Sequence, residues 1–376
     1  MRIGISLLDF QPNKSGGIET YCRDLISGLE TIDQKNEYYV LLNLHNAKTI
    51  KVGAKNFYIV YADKRSFARK VLGKLGKRVS NEELMSRFVE NLGLDLLHFP
   101  LQTVQPYLLG TSVKKIVSIM DIQQEYFPEF FDKKDLAFRR KAYKQSCDSA
   151  VAVISISEFT KQCLVQKLSI AQRKIITVHL NYNASLLDKK SIKRSTDKPY
   201  FYYPAATWPH KNHLRLLQAF SEFSKEYPNY QLVLTGIKKQ KGDEVQKYIN
   251  KNNLGKVIKS LGYVDNDELP GLYQNAFGLI FPSLFEGFGI PVVDAMVCGC
   301  PVICSNTTSL PEVGGNAVLY CNPQSIKDIA LKMTKLAENE KLRANLIKRG
   351  RVQAKKFTKE KMVKNTLKVY EKVARM

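Results

Sequence analysis

Short apolar runs alternate with helical patterns along almost the whole chain, and the alternation stops once and then restarts. The first set of runs is RIGISLLDF (2–10), YYVLLNL (38–44), NFYIVY (56–61), DLLHFP (95–100), KIVSIMD (115–121), SAVAVISIS (149–157) and IITVHLNYN (175–183). After the first run comes a loop with Gly16 and Gly17, then Ile18, Tyr21, Cys22, Leu25, Ile26 and Leu29 at helical spacing. The stretch 186–200, LLDKKSIKRSTDKPY, is polar and basic without apolar periodicity and reads as a linker. The second set is FYYPAAT (201–207), QLVLTG (231–236), VIKSLGYV (257–264), FGLIFPS (277–283), PVICSN (301–306) and AVLYCN (317–322). Helical patterns fall between its runs at 213–226, 243–252, 267–275 and 291–298, and more helices run from 325 to the end. Apolar strands separated by helices imply a parallel sheet buried on both faces. The chain is therefore expected to be α/β, with two doubly wound, Rossmann-like domains in tandem. A length of 376 residues is consistent with two domains. Ligands of such sheets bind beyond the carboxyl ends of the strands, and with two domains the cleft between them is the expected site.

Lysine plus arginine number 58 against 35 acids, a formal charge of +23, so an acidic partner is expected: nucleic acid, an anionic membrane or a phosphorylated substrate. No apolar run is long enough to span a membrane. The opening MRIGISLLDFQPN lacks the features of a signal peptide, and the seven cysteines show neither metal-site spacing nor a disulfide framework. A cytoplasmic location is expected.

Chemistry concentrates in SLFEGFGIPVVDAMVCGCPVICSNTTSLPEV (283–313). Glu286 falls just past the end of an apolar strand. Gly287 and Gly289 leave room for a ligand to approach the backbone. Pro291 suits the first turn of a helix, whose free N–H groups favour an anion such as a diphosphate. Asp294 lies near the start of that helix. Two carboxylates around a phosphate-binding helix end suit a nucleotide sugar. A turn cap at Glu286 with Asp294 complementing the helix dipole fits these residues equally well.

Together with SGGIETYCRDL (15–25), SIMDIQQEYFPEFF (118–131), ISISEFTKQCL (154–164), YPAATWPHKNHLRLLQAF (203–220) and GYVDNDELPGLYQNA (262–276), this stretch resembles the retaining glycosyltransferases of the GT-B fold, family four, in the subgroup that carries P-H-K-N. The resemblance covers nearly the whole chain. It implies an acceptor-side domain at 1–185 and a donor domain at 199–355, with a closing helix, 356–376, that crosses back to the first. It implies that Glu286 contacts the donor sugar and that Gly287, Phe288, Gly289 and Ile290 line the sugar and phosphate. Asp294 then holds the ribose hydroxyls, one methylene shorter than the family's glutamate. Lys211 neutralises the diphosphate. Gly16 and Gly17 form the family's glycine loop, and Tyr263 and Val264 belong to the donor site. Two departures stand out. Ala206 replaces an arginine that many members carry, with Arg215 or His210 as candidate substitutes. Met120 replaces a histidine, leaving the neighbouring Asp121 as the candidate for its contact.

The resemblance implies a retaining transfer from a nucleotide diphosphate sugar, mannose or rhamnose type as a first guess, to a saccharide or lipid-linked saccharide in surface polysaccharide assembly. No metal and no further cofactor are expected. The alternatives are a nucleotide-sugar epimerase of similar fold and a basic nucleic-acid-binding protein, the latter without any supporting motif. Asp265 and Asp267 have a metal-binding spacing but are expected to cap the helix that follows. His98, His179 and His213 are expected in core or surface roles. The segment 64–78, KRSFARKVLGKLGKR, has seven basic residues and no acid, with Phe67, Val71, Leu72 and Leu75 on one helical face. It fits peripheral attachment to an anionic membrane, and equally a solvated helix packed by its apolar stripe.

Overall fold

The computed structural model of the chain describes residues 1–12, 16–61, 81–187, 197–237, 244–265 and 267–376. The segment 64–78 lies outside the described residues. The chain divides into two units, 1–180 with 359–376 and 181–358.

The first unit holds a seven-stranded parallel sheet of β1 (Arg2–Ser6), β2 (Glu37–Leu42), β3 (Phe57–Tyr61), β4 (Leu96–Phe99), β5 (Lys114–Ile119), β6 (Ala152–Ser155) and β7 (Ile175–Thr177), in the order β3-β2-β1-β4-β5-β6-β7. Its helices are α1 (Gly17–Ile32), α2 (Asn81–Asn91), α3 (Lys133–Ser149) and α4 (Glu158–Leu168). Tyr21, Cys22, Leu25, Ile26 and Leu29 of α1 are buried, the stripe expected from spacing. α3 begins on Asp132, whose carboxylate accepts the N–H groups of Lys134 and Asp135, and α4 on Ser157, whose hydroxyl accepts from Thr160.

A closing helix, Lys359–Ala374, completes this unit, burying Met362, Val363, Val369, Tyr370 and Val373. It packs along α1, where Gly28 faces Val363 and a Cβ would collide with that side chain. Lys359 pairs with Asp24 at 3.4 Å. The Tyr370 hydroxyl lies 2.7 Å from His98 Nδ1, while His98 Nε2 lies 2.8 Å from the Ser118 hydroxyl. His98 is thus a core residue with two polar partners. Its burial pushes the ring pKa down to about 3.

The second unit holds a six-stranded parallel sheet of β8 (Tyr200–Pro204), β9 (Gln231–Thr235), β10 (Ile258–Gly262), β11 (Gly278–Phe281), β12 (Val302–Ser305) and β13 (Leu319–Cys321), in the order β10-β9-β8-β11-β12-β13. Its helices are α5 (His213–Glu226), α6 (Glu244–Lys251), α7 (Leu269–Gln274), α8 (Ile290–Val297), α9 (Leu310–Gly314), α10 (Ile326–Glu338) and α11 (Glu340–Ala354). Both sheets have the doubly wound order in which the direction of strand addition reverses beside the first strand of the unit, between β1 and β4 and between β8 and β11.

Most strands are shorter than the apolar runs that predict them. β1 ends at Ser6, yet Leu7, Leu8 and Phe10 stay buried in the loop, and β7 ends at Thr177 with Val178 and Leu180 still buried. Apolar sequence continues past a strand where the loop also covers the core. α7 corrects one expectation: its N-cap is Glu268, not Asp265 or Asp267, and the Glu268 carboxylate accepts the Asp265 N–H at 3.3 Å.

Candidate active site

Lys211 and Glu286 follow β8 and β11, the two strands that flank the reversal in the second sheet. Their side chains meet, with Lys211 Nζ 2.5 Å from Glu286 Oε1. The two side chains keep only 18% and 11% of their exposure, so water screens the pair less than a surface ion pair.

The backbone on each side is fixed. After β8 the chain makes a 3₁₀ turn, Pro209–Lys211, and Asn212 adopts a left-handed conformation at φ 62°. The Asn212 amide donates to the carbonyls of Pro282 and Pro323 at 2.9 and 2.7 Å, so one buried side chain ties this turn to the loop after β11. Leu284 N–H donates to the His210 carbonyl at 2.7 Å. Tyr203, fully buried against His213 and Phe281, donates its hydroxyl to the Lys211 carbonyl. The Lys211 ammonium also lies 5.5 Å from the centre of the Phe281 ring.

The loop after β12 holds Glu286. Thr308 Oγ1 accepts the Glu286 N–H at 3.3 Å, and Ser309 Oγ lies 2.9 Å from the carbonyls of both Glu286 and Phe288. Three residues on, Gly289 caps α8 at φ 106°, where a Cβ would stand 2.5 Å from Leu310 Cδ2. Only glycine suits both the angle and the space. Gly287, Phe288 and Gly289 are buried, Ile290 is half-buried, and the Phe288 ring meets Phe357 edge to face at 5.4 Å. Ile290 begins α8 and Pro291 follows within its first turn, so free N–H groups and the positive end of the helix lie four residues from Glu286.

Asp294 is buried in α8, and its Oδ1 accepts the Asn183 N–H at 2.9 Å. The carboxylate expected to hold ribose thus also fastens the backbone ahead of the 3₁₀ turn Ala184–Leu187. The two candidate substitutes for the missing arginine at Ala206 differ in charge. Arg215 Nη1 donates to Asn212 Oδ1 at 2.7 Å. His210 is kept neutral, its pKa pushed down to about 2 by burial and by Lys211 and His213, and His213 is pushed down to about 4, again chiefly by burial. Tyr263 is exposed and Val264 half-buried after β10, at the same carboxyl edge of the sheet but two strands beyond β8.

Asp121, Gly16 and Gly17 belong to the first unit. Gly16 precedes α1 at φ 48° with open space where a Cβ would stand, and Gly17 is the first residue of α1. Asp121 follows β5, and its Oδ1 accepts the Gln123 N–H at 3.0 Å, a local turn. Met120 is buried, and its N–H donates to Gln102 Oε1 at 3.1 Å. Sequence reasoning missed Tyr203, Asn212, Thr308, Ser309 and Asn183. All five lie inside runs quoted above, Asn212 within P-H-K-N, but nothing in those runs marks the backbone that each side chain holds.

Residues 186–353, which include Lys211, Glu286 and Asp294, match the family model for glycosyl transferases group 1. The matched span is 168 of the 376 residues, and the chain is a glycosyltransferase. It is 29% identical over 274 residues to O-antigen chain mannosyltransferase B of Escherichia coli, covering 70% of this chain and 72% of that protein. It is 26% identical over 377 residues to an uncharacterized glycosyltransferase of Methanocaldococcus jannaschii, covering 96% and 95% of the two chains. Sucrose-phosphate synthase from Thermosynechococcus elongatus shares the fold at a TM-score of 0.76 and 17% identity, over 99% of each chain. The two Rossmann-like units of this glycosyltransferase are those of the GT-B fold. Among the described residues, no helix is long and apolar enough to cross a membrane.

Proposed function

We propose that this glycosyltransferase moves a mannose-type sugar from a nucleotide diphosphate donor to a saccharide or lipid-linked saccharide, in surface polysaccharide synthesis, with retention at the anomeric carbon. The observation that carries the reading is the Lys211–Glu286 pair, placed between two switch-point strands and four residues ahead of a helix N-terminus. A cation beside a free helix end suits a diphosphate. A carboxylate beside them accepts from sugar hydroxyls. Likeness to an O-antigen mannosyltransferase supports mannose and the pathway class.

In this reading Lys211 and the start of α8 stabilise the charge that grows on the departing diphosphate. Glu286 orients the sugar and Asp294 reaches the ribose. Tyr263 and Val264 belong to the donor site, and Gly16, Gly17 and Asp121 serve the donor phosphate and acceptor. The leaving diphosphate takes the acceptor's proton on the face it departs from, so positioning and charge do the work without a general base. The enzyme attaches peripherally to the inner face of the cytoplasmic membrane through 64–78.

Thermal melting against a panel of nucleotide sugars tests the donor. A cognate donor at a hundred times its dissociation constant adds about 2.7 kcal/mol. Product NMR then reads the anomer, and repetition in a chelator reads metal dependence. No stabilisation by any nucleotide sugar overturns the reading. Binding to anionic vesicles at low salt, lost at high salt, tests the membrane attachment.

A further inference from the structure

The Lys211–Glu286 contact has a consequence for the order in which ligands leave. We propose that Glu286 is the resting counter-ion of Lys211, and that by reclaiming the ammonium once the sugar is gone it weakens the hold on the nucleoside diphosphate and speeds its release. The inference rests on the donor reading above and adds a role for Glu286 after transfer.

Both backbones are pinned, Lys211 by the Tyr203 hydroxyl and Glu286 by Thr308 and Ser309. Only the side chains are left to move, so the 2.5 Å contact reforms whenever neither end is otherwise engaged. A lysine ammonium is a compact charge on a flexible stem and exchanges one oxygen partner for another readily.

An intact nucleotide sugar satisfies both ends of the broken pair. Its diphosphate supplies oxygens to Lys211, and its sugar hydroxyls supply donors to Glu286. The nucleoside diphosphate left after transfer satisfies only Lys211. It strands a carboxylate that is 11% exposed and has lost its cation, a costly arrangement. The carboxylate therefore competes with the product for Lys211 but not with the complete donor. His210, held neutral, supplies no charge to relieve that competition.

The experiment is a double-mutant cycle read by calorimetry, with UDP and GDP as probes and Lys211→Met and Glu286→Gln as the variants. Glu286→Gln keeps the shape and removes the competing charge. It should bind the nucleoside diphosphate about tenfold tighter than the unmodified enzyme, with no such gain for the intact donor. In the Lys211→Met background the same change should do nothing. Glu286→Ala repeats the measurement should the glutamine variant fold poorly. An unchanged or weakened diphosphate affinity in both Glu286 variants overturns the proposal and leaves the donor reading standing. An equal gain with and without Lys211 overturns it too, because the effect would then be general charge repulsion. If the unmodified enzyme binds neither diphosphate nor any nucleotide sugar, the donor reading fails and this inference with it.

Discussion

Ser309 Oγ lies 2.9 Å from two carbonyl oxygens at once, those of Glu286 and Phe288, and so bridges the two ends of the Glu286-Gly287-Phe288 turn. One hydroxyl proton serves two acceptors in a fully buried position. Ser309→Ala leaves both carbonyls without it. We expect a loss of about 1–3 kcal/mol in stability, the cost of unsatisfied buried polar groups, measured by denaturant melts. Turnover should fall about tenfold or more while free nucleotide binding changes little if Glu286, the residue displaced, contacts the donor sugar as proposed.

Asp294 separates two roles by substitution. Asp294→Asn keeps an oxygen that can accept the Asn183 N–H and should melt close to the unmodified enzyme. Asp294→Ala loses that 2.9 Å bond and should cost about 1–2 kcal/mol. Both variants remove the charge that suits ribose hydroxyls, so nucleotide affinity should fall in both. Calorimetry showing full affinity in Asp294→Asn would leave Asp294 as a fastener of residue 183 alone.

Asp121 bonds the backbone of Gln123 through one oxygen, a contact an asparagine oxygen also makes. Asp121→Asn should therefore fold normally. Its transfer rate should nonetheless drop at least a hundredfold if the carboxylate has taken over the contact absent at Met120. Steady-state kinetics decide between the two roles, since normal rates identify Asp121 as a turn residue only.

His98 makes stability depend on pH. Its folded pKa, about 3, is below the roughly 6.5 of an unfolded histidine, so the unfolded chain binds the extra proton between those values. The stabilisation is full above about pH 6.5 and is lost as pH falls towards 3, by roughly 2 kcal/mol at pH 5. His210 and His213 shift in the same direction. Melting temperatures between pH 5 and 8 should fall with acid, and His98→Gln should flatten that slope by about one of the three contributions while losing stability at pH 8.

The alternation of apolar runs made two parallel-sheet units legible, because a strand buried on both faces has no polar face to interrupt it. Strand ends were less legible, since Leu7, Leu8 and Phe10 are as apolar as β1 yet cover the core from a loop. The glycines around Glu286 marked the site for a local reason: Gly289 takes an angle that side chains rarely adopt, with Leu310 in the space where a Cβ would stand. Lys211 could be aligned, but its partner could not be read, because the contact joins residues 75 positions apart. Ser309 and Thr308 left no trace, as isolated hydroxyls acquire meaning only when the fold brings a backbone to them. Asp294 looked like a ligand residue alone because its second partner, the N–H of Asn183, is 111 positions away.

The closing helix has a consequence for how the polypeptide can be made and cut. The second unit, 181–358, is one continuous stretch, but the first is assembled from 1–180 and 359–376. On the ribosome the second unit can complete itself while the earlier-made one still waits for Val363, Val369 and Tyr370 to cover α1 and reach His98. A stop codon anywhere before 359 therefore removes part of the core of the domain that was synthesised first. An excised first unit would need residue 180 spliced to the final helix, whereas the second could be expressed as a plain fragment.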